Sequence, residues 1–181
     1  VCQACAGLAE AHAAGIVHRD LKPSNLFRTR RPDGSACIKV LDFGISKLLR
    51  PTPDAQLVST DTSAVLGTPL YMAPEQVRST RDADARSDVW SLGVVLAEAL
   101  SGVPPFTGQT LGEVFSRILE APPHFPTTGR DVPGELHRIV LKCLAKRPDQ
   151  RFASVAELAT ALAPFASHEG REASRRARDT A

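Results

Sequence analysis

The stretch at 87–101 constrains the fold most, because it predicts a helix with apolar side chains on nearly every face. Gly102 follows this stretch and is typical of the residue that ends a helix. A helix that is apolar all round lies inside its domain. We therefore expect a mainly α-helical bundle around a buried central helix. The apolar residues of the stretch are Val89, Trp90, Leu92, Val94, Val95, Leu96, Ala97, Ala99 and Leu100.

The rest of the apolar pattern predicts one small β-hairpin and four further helices. The strands are expected at Leu26–Thr29 and Cys37–Leu41, with the turn sequence P-D-G at 32–34 between them. Residues 42–75 are irregular and rich in Ser, Thr and Pro, which is typical of a functional segment. The four helices are expected at 1–14, 110–120, 135–145 and 154–164.

The composition is that of a globular chain. Hydrophobic residues make up 43%, and 22 Lys and Arg residues against 20 Asp and Glu residues give a net charge of +2. This balance argues against a nucleic-acid partner and against membrane contact within the chain. We identify no stretch of transmembrane length and no signal peptide, so we expect a cytoplasmic location. A membrane anchor of a longer protein would lie outside this chain.

The four cysteines do not have the spacing of a metal site. Cys2 and Cys5 form a C-x-x-C pair, but no second pair and no histidines at ligand spacing follow it. We interpret Cys2, Cys5, Cys37 and Cys143 as small apolar residues of a protein in a reducing compartment.

Two short segments carry side chains suited to phosphoryl transfer. The first is His18–Asn25, with the sequence H-R-D-L-K-P-S-N, and the second is D-F-G at 42–44, directly after the hairpin. The strands between these segments bring both to the same end of a small sheet. We therefore expect the polar side chains of the two segments to converge there.

Each polar side chain has a part in that chemistry. Asp42 and the side-chain oxygen of Asn25 are ligands that Mg²⁺ accepts in proteins. Asp20 suits the base that orients an incoming hydroxyl and accepts its proton. Lys22 lies two residues on and can contact the transferring phosphate. The rest of the catalysis is positioning and electrostatics.

In order and spacing, these segments resemble the H-R-D-x-x-x-x-N catalytic loop and the D-F-G motif of protein kinases. Three later segments also resemble kinase motifs: G-T-P-L-Y-M-A-P-E at 67–75, D-V-W-S-L-G at 88–93 and R-P-D-Q-R-F at 147–152. The chain thus resembles the C-terminal lobe of a eukaryotic-type Ser/Thr protein kinase over residues 1–165. Its alanine-rich composition and its A-P-E-Q sequence are similar to those of bacterial kinases.

The resemblance implies transfer of the γ-phosphoryl group of ATP to Ser or Thr hydroxyls of proteins. It implies ATP and Mg²⁺, or alternatively Mn²⁺, as cofactors, bound through Lys22, Asn25 and Asp42. Lys22 two residues after Asp20 is typical of the Ser/Thr class. In that class the threonine at the position of Thr68 bonds with the catalytic aspartate and lysine.

The resemblance also implies a regulatory residue. The arginine at the position of Arg19 often binds a phosphate in the activation loop, through charge-assisted hydrogen bonds. We hypothesise that Thr60 or Thr62 is an autophosphorylation site. The candidate acceptors are Ser59, Thr60, Thr62 and Ser63.

Other positions have structural roles in the family. His18 is expected to pack under Phe43. Glu75 and Arg151 are expected to pair and to tie the activation segment to the last helices. Asp88 can be a plain helix N-cap, and the resemblance adds that it bonds back to the catalytic-loop backbone; the two roles are compatible. The positions with expected structural roles are His18, Phe43, Glu75, Asp88 and Arg151.

The N-terminal lobe of a kinase has no counterpart in these residues. The chain contains neither G-x-G-x-x-G nor V-A-I-K, and it opens at Val1 within a helical pattern. We expect an N-lobe encoded upstream as its partner and little activity from residues 1–181 alone. Residues 166–181 are Arg-rich, and we expect a disordered tail or linker there.

Two other functions stay open. A truncated lobe without catalysis can act as a binding or scaffold module, which the missing N-lobe favours and the intact catalytic residues oppose. A small-molecule phosphotransferase shares the core chemistry but generally lacks a segment like 67–75 and its Arg151 partner. The coding sequence upstream of Val1 discriminates between the enzyme and the module.

Overall fold

The computed structural model describes residues 1–43, 69–79, 83–124 and 132–181. Within them, helices dominate and two antiparallel strands form a small sheet. In chain order the elements are α1 (Cys2–Ala13), β1 (Leu26–Arg30), β2 (Ala36–Val40), α2 (Pro74–Arg78), α3 (Ala85–Ser101), α4 (Leu111–Glu120), α5 (Gly134–Cys143), α6 (Val155–Leu162) and α7 (His168–Thr180). Short 3₁₀ turns lie at Pro23–Asn25, Pro69–Tyr71, Pro148–Gln150 and Ala163–Phe165.

Helix α3 is the buried central helix that the sequence predicts. The side chain of Asp84 caps its first turn by accepting a hydrogen bond from Arg86 N, and Gly102 ends it with a φ of 82°. Its side chains contribute to two hydrophobic clusters. Val89 and Leu92 belong to the cluster that includes α1 and α6, and Trp90 belongs to the cluster that includes α4.

The hairpin packs against α1 through apolar side chains and through hydrogen bonds to one glutamine. Its register pairs Leu26 with Val40 and Arg30 with Ala36. The outer edge of β2 is partly satisfied by Gln3, which donates to Ala36 O at 3.0 Å and accepts from Ile38 N at 2.7 Å. The side chain acts as a short substitute for a third strand. This contact fixes the hairpin, and with it the loops at its open end, on α1.

The expected disordered tail at 166–181 is wrong, because the structure has helix α7 there. Ser167 caps the helix, and Gly170, Ala173, Ser174 and Ala177 are buried along one face. A Cβ atom on Gly170 would lie 2.8 Å from Ala166 Cβ, so this position requires glycine. Small residues at this spacing let α7 lie close to α1 and α6. The many arginines mask this pattern, since they occupy the exposed face.

The cysteines are free thiols, and three of them are in the core. Cys2, Cys5 and Cys143 are buried, and Cys37 is half-buried. Burial raises the pKa of the Cys5 thiol to about 12 and raises that of Cys143 further. These buried thiols are therefore protonated and act as small apolar groups. None of the described helices combines the length and apolar character needed to cross a bilayer.

Candidate active site

The catalytic loop runs from the end of α1 to the start of β1. Its apolar anchor is Leu21, which is 1% exposed. Asn25 is buried, and its Nδ2 donates to Asp20 O at 2.8 Å. This bond fixes the loop between Asp20 and Asn25. It uses the side-chain nitrogen of Asn25, so the side-chain oxygen is not part of it. Lys22 Nζ lies 3.1 Å from Asp20 Oδ2, so the cation and the proposed base are adjacent.

His18 joins the catalytic loop to the segment that contains Asp42. Its buried ring accepts from Asp20 N through Nδ1 at 3.2 Å, which assigns the proton to Nε2. The Nε2 atom then donates to Leu41 O at 2.8 Å. The ring also packs on Phe43, with centroids 4.9 Å apart. The expected contact between His18 and Phe43 is therefore present.

Asp42 lies beside Asn25 at the open end of the hairpin. Leu41 N donates to Asn25 O at 2.9 Å, which continues the strand pairing by one residue and places Asp42 next. Asp42 is exposed and has a φ of 53°, a left-handed conformation that is uncommon outside glycine. The structure thus brings Asp20, Asn25 and Asp42 to one end of the sheet.

These residues fit a hard divalent cation. The available donors are the side-chain oxygen of Asn25 and the carboxylate of Asp42. Mg²⁺ usually takes one or two carboxylates from the protein and completes its shell with water and phosphate oxygens. Among the described residues, no group of three or more His, Cys, Asp or Glu side chains forms an all-protein metal cage. The donor set therefore suits Mg²⁺ held together with a nucleotide.

The backbone of Arg19 is held in a strained conformation from both sides. Its φ is 65°, which costs a non-glycine residue about 1–3 kcal/mol. Asp88 accepts from His18 N and from Arg19 N, both at 2.9 Å. Gln76 Nε2 donates to Arg19 O at 2.9 Å. Helices α3 and α2 therefore fix the peptide that immediately precedes Asp20.

Of the two roles predicted for Asp88, the bond to the catalytic-loop backbone is present and the helix N-cap is wrong. Asp84 caps α3, whereas Asp88 lies inside the helix and is 0% exposed. A third donor also reaches this carboxylate, since His12 Nε2 lies 2.8 Å from Asp88 Oδ2. His12 therefore supports the catalytic loop indirectly, through Asp88. Its position near the end of α1 gives no sequence signal for a partner 76 residues away.

Asp88→Asn is expected to destabilise the catalytic loop. The amide offers one acceptor in place of two carboxylate oxygens, so at least one buried N–H of the loop loses its partner at about 1–3 kcal/mol. Urea denaturation should show the loss, and amide exchange at Arg19 should accelerate. Asp84→Asn is the matched control, because asparagine caps a helix as well as aspartate does. Equal effects of the two substitutions would contradict this role of Asp88.

Glu75 and Arg151 form the expected buried ion pair. Arg151 Nη1 and Nη2 donate to Glu75 Oε1 and Oε2 at 2.7 and 2.8 Å, and Ser87 Oγ donates to Glu75 Oε1 at 2.7 Å. Burial acts to raise the pKa of Glu75, but Arg151 and Ser87 outweigh it and hold that pKa below 4.5. The pair ties α2 to the segment after α5.

The turn Pro69–Tyr71 is anchored on α3. Ser91 Oγ donates to Tyr71 O at 2.9 Å, and Tyr71 Oη donates to Glu98 Oε2 at 2.6 Å. Burial and the bond to Glu98 raise the pKa of the Tyr71 phenol well above its usual value, so the hydroxyl stays a donor. The turn that leads into α2 is therefore fixed to α3 at Tyr71.

Several predicted positions lie outside the described residues. They are Thr68 and the candidate phosphorylation sites Ser59, Thr60, Thr62 and Ser63. Arg19 itself is described: Nη2 donates to Ala83 O at 3.3 Å, and the buried Nε has no acceptor among the described residues.

The chain is similar to known kinases over nearly all of its length. The family model described as protein kinase domain matches residues 1–163. Serine/threonine-protein kinase Pkn1 of Myxococcus xanthus is 40% identical over 177 residues, which is 97% of this chain and 25% of that protein. Serine/threonine-protein kinase PknB is 41% identical over 171 residues in Mycolicibacterium smegmatis, covering 94% of this chain and 26% of that protein. The PknB of Mycobacterium tuberculosis is 38% identical over 174 residues, which is 96% of this chain and 26% of that protein.

The chain spans about a quarter of the length of these curated relatives. The resemblance to bacterial, eukaryotic-type Ser/Thr kinases is thereby confirmed, and so is a mostly helical fold with a small two-stranded sheet. By the match of the family model and by the identity to these relatives, the chain belongs to the protein kinase domain family.

Proposed function

We propose that the protein carrying this chain transfers the γ-phosphoryl group of ATP to Ser and Thr hydroxyls of protein substrates. The observation that supports the proposal is that Asn25 donates to Asp20 O and accepts from Leu41 N, the residue directly before Asp42, at the open end of the hairpin. Residues 1–165 are proposed as the C-terminal lobe of the catalytic domain, completed by an N-lobe.

In this proposal Asp20 is the base. Its carboxylate is half-buried and lies in a loop whose backbone is fixed by Asp88 and Asn25. It orients the substrate hydroxyl and accepts its proton as the bond to phosphorus forms. Lys22 Nζ, which lies 3.1 Å from Asp20 Oδ2, contacts the transferring phosphate in this proposal. Its positive charge lowers the electrostatic cost of bringing the Asp20 carboxylate near that phosphate. Thr68 is proposed to hold these two side chains together.

Asn25 and Asp42 are proposed to hold Mg²⁺, or alternatively Mn²⁺. When bound, the cation neutralises phosphate charge and fixes the position of the nucleotide. The protein contributes rigidity: Asn25 is buried, and His18 links the carbonyl of Leu41 to the catalytic loop. Both ligands are thereby held relative to Asp20.

Arg19 is proposed to bind a phosphorylated residue of the activation segment. Its buried Nε without an acceptor among the described residues supports this role, since a buried guanidinium donor normally has a partner. Thr60 and Thr62 remain the proposed acceptors, with Ser59 and Ser63 as further candidates. Phosphosite mapping of the active protein that finds all four unmodified would argue against this regulation.

Ser/Thr kinase activity is tested with the full-length protein that carries this chain. With radiolabelled ATP, Mg²⁺ and a general protein substrate, we expect label in phosphoserine and phosphothreonine and none in phosphotyrosine. Residues 1–181 alone should incorporate far less label, because they contain no G-x-G-x-x-G sequence. Absence of transfer by the full-length protein would refute the proposal.

A non-catalytic binding module is the second candidate. It is favoured by the exposure of Phe27 (55%), which lies in β1, and of Leu41 (38%), which directly follows β2. Such apolar side chains on a surface suit contact with another protein unit. This function predicts partner binding that is unchanged by Asp20→Asn and no phosphoryl transfer at any length of the protein.

A further inference from the structure

Gln76 joins two segments of the candidate active site through one side-chain amide. Its Oε1 accepts from Ala73 N at 3.0 Å, and its Nε2 donates to Arg19 O at 2.9 Å. The residue is buried, so both bonds are largely shielded from water. Because Ala73 N can only donate and Arg19 O can only accept, the two contacts assign the orientation of the amide. A side chain at this position must offer a donor and an acceptor, which an amide does and a carboxylate or a thioether does not.

Arg19 O belongs to the peptide that directly precedes Asp20, and both polar atoms of this peptide are held. Gln76 binds the carbonyl oxygen, and Asp20 N donates to His18 Nδ1 at 3.2 Å. Arg19 has a φ of 65°, a conformation that persists in a non-glycine residue only where the surroundings enforce it. Rotation of the peptide would break both of its hydrogen bonds. Gln76 therefore takes part in setting the direction in which the Asp20 side chain leaves the backbone.

The other end of the amide lies on the segment that leads into α2. Ala73 is the buried N-cap residue of α2 and follows the turn Pro69–Tyr71 closely. The acceptor for its N–H is the side chain of Gln76, three residues on. The turn itself is anchored on α3 by Ser91 Oγ, which donates to Tyr71 O at 2.9 Å. The position of Ala73 N therefore follows the position of the turn, which on the proposed function belongs to the activation segment.

A purely local role for Gln76, as half of a capping box, is the simplest alternative. In that role only the bond to Ala73 N matters. The bond to Arg19 O is not part of the capping pattern, and it joins residues 57 positions apart. Because this second bond is as short as the first, the amide is oriented to serve both segments.

We propose that Gln76 is a positioning residue that makes the direction of the Asp20 side chain depend on the placement of the turn Pro69–Tyr71. When the turn is in place, Ala73 N holds Oε1 and thereby aims Nε2 at Arg19 O. When the turn is displaced, the amide is free to rotate, the carbonyl of Arg19 loses its donor, and the strained backbone relaxes. Gln76 thus acts on the reaction only through Asp20. The inference rests on the proposed function for its kinetic consequence and not for the coupling itself.

The substitution Gln76→Glu separates the two bonds. Its carboxylate still accepts from Ala73 N, but it has no N–H to donate to Arg19 O. We expect the kcat of the full-length protein to fall about ten- to a hundredfold, with the KM for ATP and for the protein substrate unchanged. Gln109→Glu is the matched control, because it makes the same chemical change at an exposed position and should keep the wild-type kcat. If Gln76→Glu also keeps the wild-type kcat, Gln76 has no positioning role.

Hydrogen exchange of the full-length protein, without nucleotide or substrate and well below its melting temperature, tests the two bonds directly. In Gln76→Glu, exchange at Asp20 N should accelerate about tenfold, while Ala73 N stays as protected as in the wild type. In Gln76→Met, which has no N–H and only a weakly accepting sulfur, exchange should accelerate at both positions. Equal acceleration throughout α2 and α3 in either variant would indicate general destabilisation and would contradict the proposal.

A second substitution tests whether the turn acts on the loop through Gln76. Ser91→Ala removes the bond to Tyr71 O and should accelerate exchange at Asp20 N about three- to tenfold in the wild-type background. In the Gln76→Met background it should have no further effect at Asp20 N, because the link is already broken. Equal acceleration in the two backgrounds would overturn the coupling. If exchange behaves as expected but the full-length wild-type protein transfers no phosphate, the proposed function fails and the coupling stands.

Discussion

Asp20→Asn is expected to lower the kcat of the full-length protein on the order of 10²–10⁴-fold. The amide keeps the shape of the carboxylate but cannot accept the proton of the substrate hydroxyl. The fold should be unaffected, because the side chain of Asp20 is partly exposed and its ion pair with Lys22 contributes little stability. Steady-state phosphorylation of a protein substrate, with the melting temperature of both proteins, measures these effects.

Asp179→Asn is the control for Asp20→Asn, since it makes the same chemical change at an exposed position at the end of α7. We expect wild-type kcat and stability from it. Retention of more than about a tenth of wild-type activity by Asp20→Asn would show that another group accepts the proton.

Arg151→Met should cause the largest loss of stability. The side chain of Arg151 is 0% exposed, and its removal leaves the Glu75 carboxylate buried without its cation. Breaking a buried ion pair from one side costs about 3–5 kcal/mol. In a chain of this size, the melting temperature should fall by roughly 6–20 °C, as measured by circular dichroism or calorimetry.

The neighbouring Arg147 is the control for burial. It forms an ion pair with Asp149 at 2.8 Å, close to the distance in the buried pair, but its side chain is 71% exposed. Arg147→Met should leave the melting temperature nearly unchanged, because exposed ion pairs contribute little stability. Equal losses in the two variants would mean that burial of the Glu75–Arg151 pair contributes nothing.

The same pair gives stability a pH dependence with a definite sign. The folded protein holds the pKa of Glu75 below 4.5, so it favours the ionised form more than the unfolded chain does. The contribution of ionised Glu75 to the free energy of unfolding is therefore present above pH 4.5 and is lost as the pH falls through the pKa of the folded state. In Glu75→Gln this part of the loss of stability in acid should disappear. Urea denaturation at several pH values would detect the difference.

The sequence predicted the central helix and the catalytic residues for different reasons. Helix α3 was predictable because its apolar side chains lie on all faces, a pattern with one physical meaning. Asp20, Asn25 and Asp42 were predicted as active-site residues because phosphoryl transfer requires oxygen ligands and a base in a small volume, and their roles remain predictions. Both inferences depend on local sequence alone.

Some contacts between distant residues were predicted only through the family resemblance, as for Glu75 and Arg151, and others were not predicted at all. His12 contacts Asp88, 76 residues away, and Gln76 contacts Arg19, 57 residues away. Neither residue lies in a local sequence pattern that predicts its contact with the residues that hold the catalytic loop. Lys146 reads as an ordinary surface lysine until Phe106 and the end of α4 are placed beside it. The roles of Thr68 and of the activation-segment phosphorylation sites remain predictions.

Helix α7 affects where this chain can be cut. The family match ends at residue 163, yet the small residues of α7 cover α1, with Gly170 beside Cys2. A boundary chosen from the family model would remove this cover and leave an uncharged strip of α1 in water, where it favours self-association. The family model and the packed helices therefore end at different residues, and an expression boundary should follow the helices.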